Sequence, residues 1–280
     1  MKQWRSAALA AAFAALAASG ATAQLDYRNL DDDRPLRVED AFPVERYAFE
    51  WIAPYSFARA RGGAATHAVV LELTWGVVLN GHAGLKLALA DVEGPAGRTR
   101  GLAGARAFAF YQLFTESPAL PAVAVRADAF LPAGSLGGDR ARGELKLVAT
   151  RSFGRSRLHL NGAVGLGPDG TPPAAEGAAR WWAGAALDRT LIRHSLLFVV
   201  ETYALREARG AALEVNAGLG ARWQWTPTLV LDLGVSRRLR ADGPDVALTF
   251  GVSKAFAVAA LMPSGPRDRR PAGGDDAHRH

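Results

Sequence analysis

The sequence contains no cysteine, which excludes disulfide frameworks, thiol nucleophiles and cysteine metal sites. Its longest apolar run, residues 7–18, is shorter than the ~20 residues that a membrane-spanning helix needs. Glycine (30 of 280 residues) and proline (15) are too few and too irregular for a collagen or a linker protein. With 49% hydrophobic and 21% charged residues, the chain has ample material for a folded core.

The N-terminus has the pattern of a targeting segment. Lys2 and Arg5 precede the apolar run 7–18, and the small residues 21–23 (ATA) form a cleavage motif before Gln24. This is the pattern of a secretory signal peptide over residues 1–23. The alternative is an N-terminal anchor helix, which the short apolar run disfavours.

From residue 46 onward the hydrophobic pattern has a period of two residues, which indicates β-strands. Val69, Leu71 and Leu73 share one face of a segment whose other face carries Glu72 and Thr74. Twelve such segments follow one another along the chain. None shows a helical period, so the sequence predicts an all-β fold.

The fourth segment, residues 101–114, has the weakest alternation. Its alanines, beginning with Ala103, form the apolar face, and Phe108 and Phe110 fall on the polar face with Arg106.

The connections between the predicted strands alternate in length. We place the longer ones at 58–65, 92–100, 132–139, 167–178, 205–211 and 239–244, and the shorter ones at 78–79, 115–118, 152–156, 189–193 and 224–227. Short periplasmic turns, longer outer loops and an even number of strands are typical of bacterial outer-membrane barrels.

We therefore predict a closed antiparallel transmembrane β-barrel over residues 46–256, with about twelve strands and with ten or fourteen as alternatives. Strands can cross a lipid bilayer only as a closed barrel, because lipid satisfies no backbone hydrogen bonds. The competing interpretation is a soluble periplasmic β-protein with a dry core, but a sheet of this size would then need a second layer. The predicted location is the bacterial outer membrane, with the lipid bilayer as partner.

Two segments flank the predicted barrel. Residues 24–45, here called the leader, contain seven acidic and three basic residues, whereas residues 46–256 carry 24 basic and 17 acidic ones. The leader could extend into the periplasm or lie in the lumen, where its acids would meet a basic wall. Residues 257–280 have the composition of a disordered tail.

The start of the mature chain resembles a known family. The stretch 34–41 (RPLRVEDA), followed by 47–50 (YAFE), is similar to the mature N-terminus of the meta-pathway phenol-degradation family of outer-membrane transporters.

The far end of the chain agrees with this resemblance through 225–227 (WTP), 229–235 (LVLDLGV), 243–245 (GPD) and 250–252 (FGV) before Phe256. The resemblance implies a barrel that carries aromatic or other small hydrophobic compounds. Here 24 residues follow Phe256, unlike in the family, whose final aromatic stands near the terminus.

We expect the outer-membrane assembly machinery to act on this chain.

Charged residues on the polar faces are the candidate lining of a pathway through the barrel. The register of the fifth and sixth strands predicts Arg126 opposite Lys146 and Asp128 opposite Glu144, with Arg106 beside Arg126. An arginine-lined pathway would attract anions, whereas the alternative is a salt-bridge network that only fills the lumen. The predicted lining residues are Arg106, Arg126, Asp128, Arg142, Glu144, Lys146, Glu201, Arg222 and Asp232.

An enzyme is the second class of function that we consider. His159 and Asn161 share the lumen face, and His67, on the lipid-facing side, has no serine beside it. His278 and His280 lie in the predicted tail. We therefore predict no catalytic residues, no metal and no cofactor. Export and a lumenal placement of the charges also exclude nucleic acid as a partner.

The predicted function is a channel or transporter for passive uptake of small-molecule solutes, with aromatic or anionic compounds as candidates. The alternative is a plugged, non-conducting barrel with a structural or adhesive role, although short outer loops disfavour adhesion. The sequence does not indicate an oligomeric state.

Overall fold

The computed structural model describes residues 24–60, 62–95, 97–175, 177–191, 195–240, 244–258 and 261–262. The predicted signal peptide lies outside these residues, as do His194 and most of the predicted tail. In the part of the chain that is described, no helix is long and apolar enough to span a membrane.

The fold is one antiparallel sheet of strand segments that closes on itself. The segments are β1 (Ala48–Ile52), β2 (Tyr55–Ala60), β3 (Ala65–Val78), β4 (Gly81–Gly94), β5 (Gly97–Phe114), β6 (Ala122–Leu131), β7 (Arg142–Phe153), β8 (Ser156–Leu166), β9 (Trp181–Thr190), β10 (Leu196–Arg206), β11 (Glu214–Thr226), β12 (Leu229–Arg240) and β13 (Pro244–Ala257).

The first two segments form one interrupted strand. Both β1 and β2 pair with β3 on one side and with β13 on the other. They are separated at Ala53 and Pro54, where proline has no N–H to donate to the ladder. The result is a closed barrel of twelve antiparallel strands, which confirms the predicted fold class.

The alternation of apolar and polar residues follows the two faces of the wall. On β3, Leu71 and Leu73 are 39% and 44% exposed on the outside, whereas Glu72 and Thr74 are buried on the inside. This inversion, with apolar residues outside and polar residues inside, suits a wall that faces lipid.

One stretch of β5 differs from the predicted faces. Leu87 pairs with Ala105 and Leu89 with Leu102, so two residues of β5 stand opposite one of β4. This is a β-bulge, and Gly104 adopts a φ of 118° within it. The bulge turns Ala103 to the inside, where it is 1% exposed, so its predicted outward placement was wrong. Beyond the bulge Phe108 and Phe110 point inward as predicted.

The lengths of the connections alternate less regularly than predicted. The predicted loop 92–100 is mostly strand, because the ladder continues up to the pair Gly94 and Gly97. The connection 115–121 at the opposite end is longer than expected. Asp91 also forms ion pairs with Arg98 and Arg100 across this extended hairpin.

Candidate functional site: the barrel lumen

The predicted lining residues all lie on the inward-facing side of the wall. Arg106 is on β5, Arg126 and Asp128 on β6, Arg142, Glu144 and Lys146 on β7, Glu201 on β10, Arg222 on β11 and Asp232 on β12. Each is buried except Arg142, which is half-buried near the outer end. The structure thus places these charges on the inner face of one barrel.

The pairing across β6 and β7 is as predicted. Arg126 pairs with Lys146, and Asp128 pairs with Glu144. Arg106, however, pairs with Phe130 and does not lie directly beside Arg126, because the register between β5 and β6 is set by the longer connection 115–121. The Asp128 carboxylate still joins the two arginines, at 2.8 Å from Arg106 Nε and 3.1 Å from Arg126 Nε.

The leader occupies the lumen from the end at which both chain termini of the barrel lie. The Leu25 amide donates to the carbonyl of Pro227 in a turn at that end. The segment then passes inward and returns to the same end, where the Val44 amide donates to His82 Nδ1. The sequence left a periplasmic and a lumenal leader open, and the contacts of the described residues place it in the lumen.

The leader folds back on itself as a compact hairpin. The Asp40 amide donates to the carbonyl of Leu30, and the Leu30 amide donates to the Asp40 carboxylate. Its apolar side chains pack with wall residues in one buried cluster that includes Leu36, Val38 and Trp182. The leader is therefore anchored by apolar packing as well as by charge.

Four cations on neighbouring strands converge on one carboxylate of the leader. Asp32 lies 2.8 Å from Arg106, 3.2 Å from Lys86 and 3.6 Å from Arg126, and it also accepts a hydrogen bond from Lys146. Burial alone would raise the pKa of the Asp32 carboxyl, but these cations outweigh burial and hold it well below its usual range. We call the four wall residues (Lys86, Arg106, Arg126 and Lys146) the cationic cluster.

Two further charges of the leader have partners on the wall. Glu39 lies 3.1 Å from Arg126 and 2.9 Å from Lys146, so it shares the cationic cluster with Asp32. On the opposite wall, Arg34 lies 3.0 Å from Asp232. The leader and the wall thus exchange charges of both signs.

A hydrogen-bonded network of Thr150, His159 and Asp188 lies beneath the leader. His159 Nδ1 is 3.0 Å from Thr150 Oγ1, and His159 Nε2 is 3.0 Å from the Asp188 carboxylate. The order resembles a catalytic hydroxyl–imidazole–carboxylate relay. All three side chains are fully buried, however, and Thr150 Oγ1 accepts the Ala41 amide, so the hydroxyl faces the leader. The network serves to hold the leader.

Glycines on the wall make room for the leader, and sequence analysis did not find them. A Cβ at Gly234 would lie 2.1 Å from the Pro35 carbonyl oxygen, and one at Gly220 would lie 2.8 Å from the Pro35 ring. A Cβ at Gly218 would lie 2.8 Å from Leu36 Cδ2, and one at Gly184 would lie 3.0 Å from Val38 Cγ2. Glycines facing inward on adjacent strands β11 and β12 are the sequence feature that could have indicated a packed segment.

Above the leader the lumen opens into a cavity of about 450 Å³, here called the vestibule. Its floor includes the leader residues Asp33, Pro35, Leu36 and Arg37. The β8–β9 connection borders it through Pro172 and Ala174. Among its walls are Tyr203, Ser236 and Ala247. Arg37 lies at the floor, 4.9 Å from the Trp182 ring and 5.3 Å from the Tyr203 ring. The vestibule is large enough for a small organic molecule.

No group of three or more His, Asp or Glu side chains that could hold a metal ion occurs among the described residues.

Comparison with solved structures identifies the fold. An outer-membrane channel from Pseudomonas putida F1 aligns with a TM-score of 0.60 at 15% identity, over 81% of this chain and 100% of that chain. The KdgM porin aligns with a TM-score of 0.50 at 11% identity, over 74% and 99%. The NanC porin aligns with a TM-score of 0.50 at 9% identity, over 74% and 98%.

No family model and no curated protein matches the sequence. The chain has the fold of a porin-like outer-membrane β-barrel, and its likeness to these channels extends over nearly the whole of their length.

Proposed function

We propose that the protein is a passive channel of the bacterial outer membrane for small molecules, and that the leader controls its opening. The observation that carries the proposal is the vestibule, whose floor is formed partly by Asp33 and by leader residues 35–37. The main body of the leader joins the barrel through side chains and isolated backbone contacts, not through the strand ladder. Such a segment can move without breaking the wall.

Aromatic or anionic compounds are the proposed cargo. The cationic cluster supports anions, because side chains of Lys and Arg along a pore favour them. The resemblance of residues 34–41 to the phenol-degradation family supports aromatic compounds. One porin of this fold, at a TM-score of 0.51 and 10% identity, is described in complex with oligogalacturonate.

Liposome uptake of benzoate, compared with a neutral sugar of similar size, would test the cargo.

The competing function is a plugged barrel with a structural role. Its support is the burial of the ion pairs between leader and wall, since buried charges that lose their partners are costly. The two functions differ in whether the leader moves while the barrel stays folded.

A disulfide lock separates these two functions, because the chain has no cysteine of its own. A Cβ at Gly184 would lie 3.0 Å from Val38 Cγ2, which puts the two positions within reach of a disulfide. We expect Val38→Cys with Gly184→Cys to give no conductance in planar bilayers when oxidised, and channels when reduced.

The single variants Val38→Cys and Gly184→Cys are the controls, and both should conduct with or without reductant. Deletion of residues 24–45 should enlarge the conductance. If neither the reduced double variant nor the deletion conducts, although both barrels migrate as folded species on a gel, the structural role is the better account.

A further inference from the structure

Two arginines stand on the outer face of the wall, at the end opposite the chain termini. Arg59 on β2 and Arg237 on β12 are exposed, and both side chains share the outward face with apolar neighbours. A wall that faces lipid normally keeps charge off this face, except near the headgroups. An anionic group at that level of the membrane would therefore balance the two positive charges.

The strand register places the two arginines side by side. Arg237 pairs with Val246 on β13, and Val246 pairs with Arg59. Two strand spacings put their Cα atoms about 10 Å apart. Only the short Val246 side chain stands between them, so two long arginine side chains can reach one group from both sides.

An apolar row lies directly beneath this pair. Val235 pairs with Leu248, and Leu248 pairs with Phe57, one outward position nearer the middle of the wall. Val235 and Leu248 are 40% and 43% exposed. The surface thus offers two cations above and an apolar strip below, which matches a phosphate attached to acyl chains.

The charges near the pair leave it cationic. Within the described residues, no hydrogen bond or ion pair involves the guanidinium of Arg59 or of Arg237. The acidic Glu93 shares the row two strands beyond Arg59, and its own partner on β5 is Arg98. Asp91 is held by Arg98 and Arg100.

We propose that Arg59 and Arg237 form a binding site for a phosphate of lipid A, the phosphorylated glycolipid of the outer leaflet. The proposal rests on the outer-membrane location given above, which puts the end opposite the termini outside the cell. Arginine suits this role because its planar group can bind phosphate through two hydrogen bonds. The apolar strip would receive the acyl chain.

Native mass spectrometry of the full chain in detergent, titrated with bisphosphorylated lipid A, tests the site. We expect saturable binding that Arg59→Gln with Arg237→Gln weakens about tenfold or more, because charge-assisted hydrogen bonds are lost. The matched control is Arg155→Gln with Arg189→Gln, which removes two exposed arginines at the other end. This control should bind lipid A like the parent.

Two further probes define the ligand. Dephosphorylated lipid A should bind weakly to parent and variant alike, and phosphatidylglycerol should bind less tightly than lipid A to the parent. Equal binding of lipid A by parent and Arg59/Arg237 variant would overturn the proposal. Equal affinity for phosphatidylglycerol would also overturn it, in favour of a general anionic-lipid surface. Neither readout depends on conductance, so the result is separate from the proposed channel function.

Discussion

The Asp32 carboxylate of the leader lies 2.8 Å from the Arg106 guanidinium of β5, and both side chains are almost completely buried. Asp32 is the shared counter-ion of the whole cationic cluster. Without Asp32, the four like charges on adjacent strands would be offset by Glu39 of the leader and by wall acids such as Asp128. The position of the leader therefore determines, through Asp32, how the charges of the cationic cluster are balanced.

We predict that Asp32→Asn loosens the leader without unfolding the barrel. Removing one partner of a buried ion pair costs ~3–5 kcal/mol, and here the cost falls on the docked state of the leader. Conductance should rise, and a protease added from the leader side should cut residues 24–45 faster. The control is Asp26→Asn, an exposed leader residue, which should behave like the parent. Unchanged cleavage in Asp32→Asn would show that apolar packing alone holds the leader.

We predict that Gly234→Ala displaces the leader by steric means. The added Cβ would lie 2.1 Å from the Pro35 carbonyl oxygen and 2.5 Å from Thr249 Oγ1. Overpacking of this kind costs ~1–3 kcal/mol, and the leader can relieve it by moving. The matched control is Gly162→Ala, where a Cβ meets nothing within 4 Å. Planar-bilayer recordings should show more frequent or larger openings for Gly234→Ala only. Equal recordings for both variants would show that Pro35 is not tightly packed against Gly234.

We predict that the two faces of β12 tolerate arginine differently. Leu233→Arg on the lipid-facing side, where Leu233 is 60% exposed, should destabilise the barrel in lipid by ~2–4 kcal/mol near mid-membrane. Ser236→Arg should cost far less, because this residue lines the vestibule. Folding titrations in lipid vesicles, read by heat-modifiable migration on a gel, measure the difference. Equal destabilisation by both substitutions would argue that the outer face is not in lipid.

The strands and their faces could be predicted from sequence because a period of two residues is a local property. For example, the alternation of their immediate neighbours was enough to assign Leu71 and Glu72 to opposite faces. Ala103 was placed on the wrong face because a bulge depends on the partner strand, which the local pattern does not contain. Likewise, the position of Arg106 relative to Arg126 depends on register, which the connection 115–121 sets.

The leader shows a second limit of sequence analysis. Its acidic composition predicted a partner of opposite charge but did not identify one, because Asp32 meets Arg106 and Lys146 only after the barrel closes. Asp232 was predicted to line the pathway, but the alternation did not identify a partner for it. In the structure Asp232 is buried against Arg34 at 3.0 Å. Tertiary contacts, not alternation, decide which lumenal charges are free to meet a solute.

We predict that the release of the leader gives the channel its anion preference. In the parent, Asp32 and Glu39 neutralise the cationic cluster, whereas Asp32→Asn exposes it. The reversal potential of Asp32→Asn in a salt gradient should therefore indicate anion preference, and adding Arg106→Gln with Arg126→Gln should reduce it. The preference should also weaken from 0.1 M to 1 M salt, as the screening length falls from about 10 Å to about 3 Å. Arg155→Gln with Arg189→Gln in the same background should leave the potential unchanged. Cation preference in Asp32→Asn would mean instead that the wall carboxylates, Glu72, Glu144, Glu201 and Glu214, set the field along the pathway.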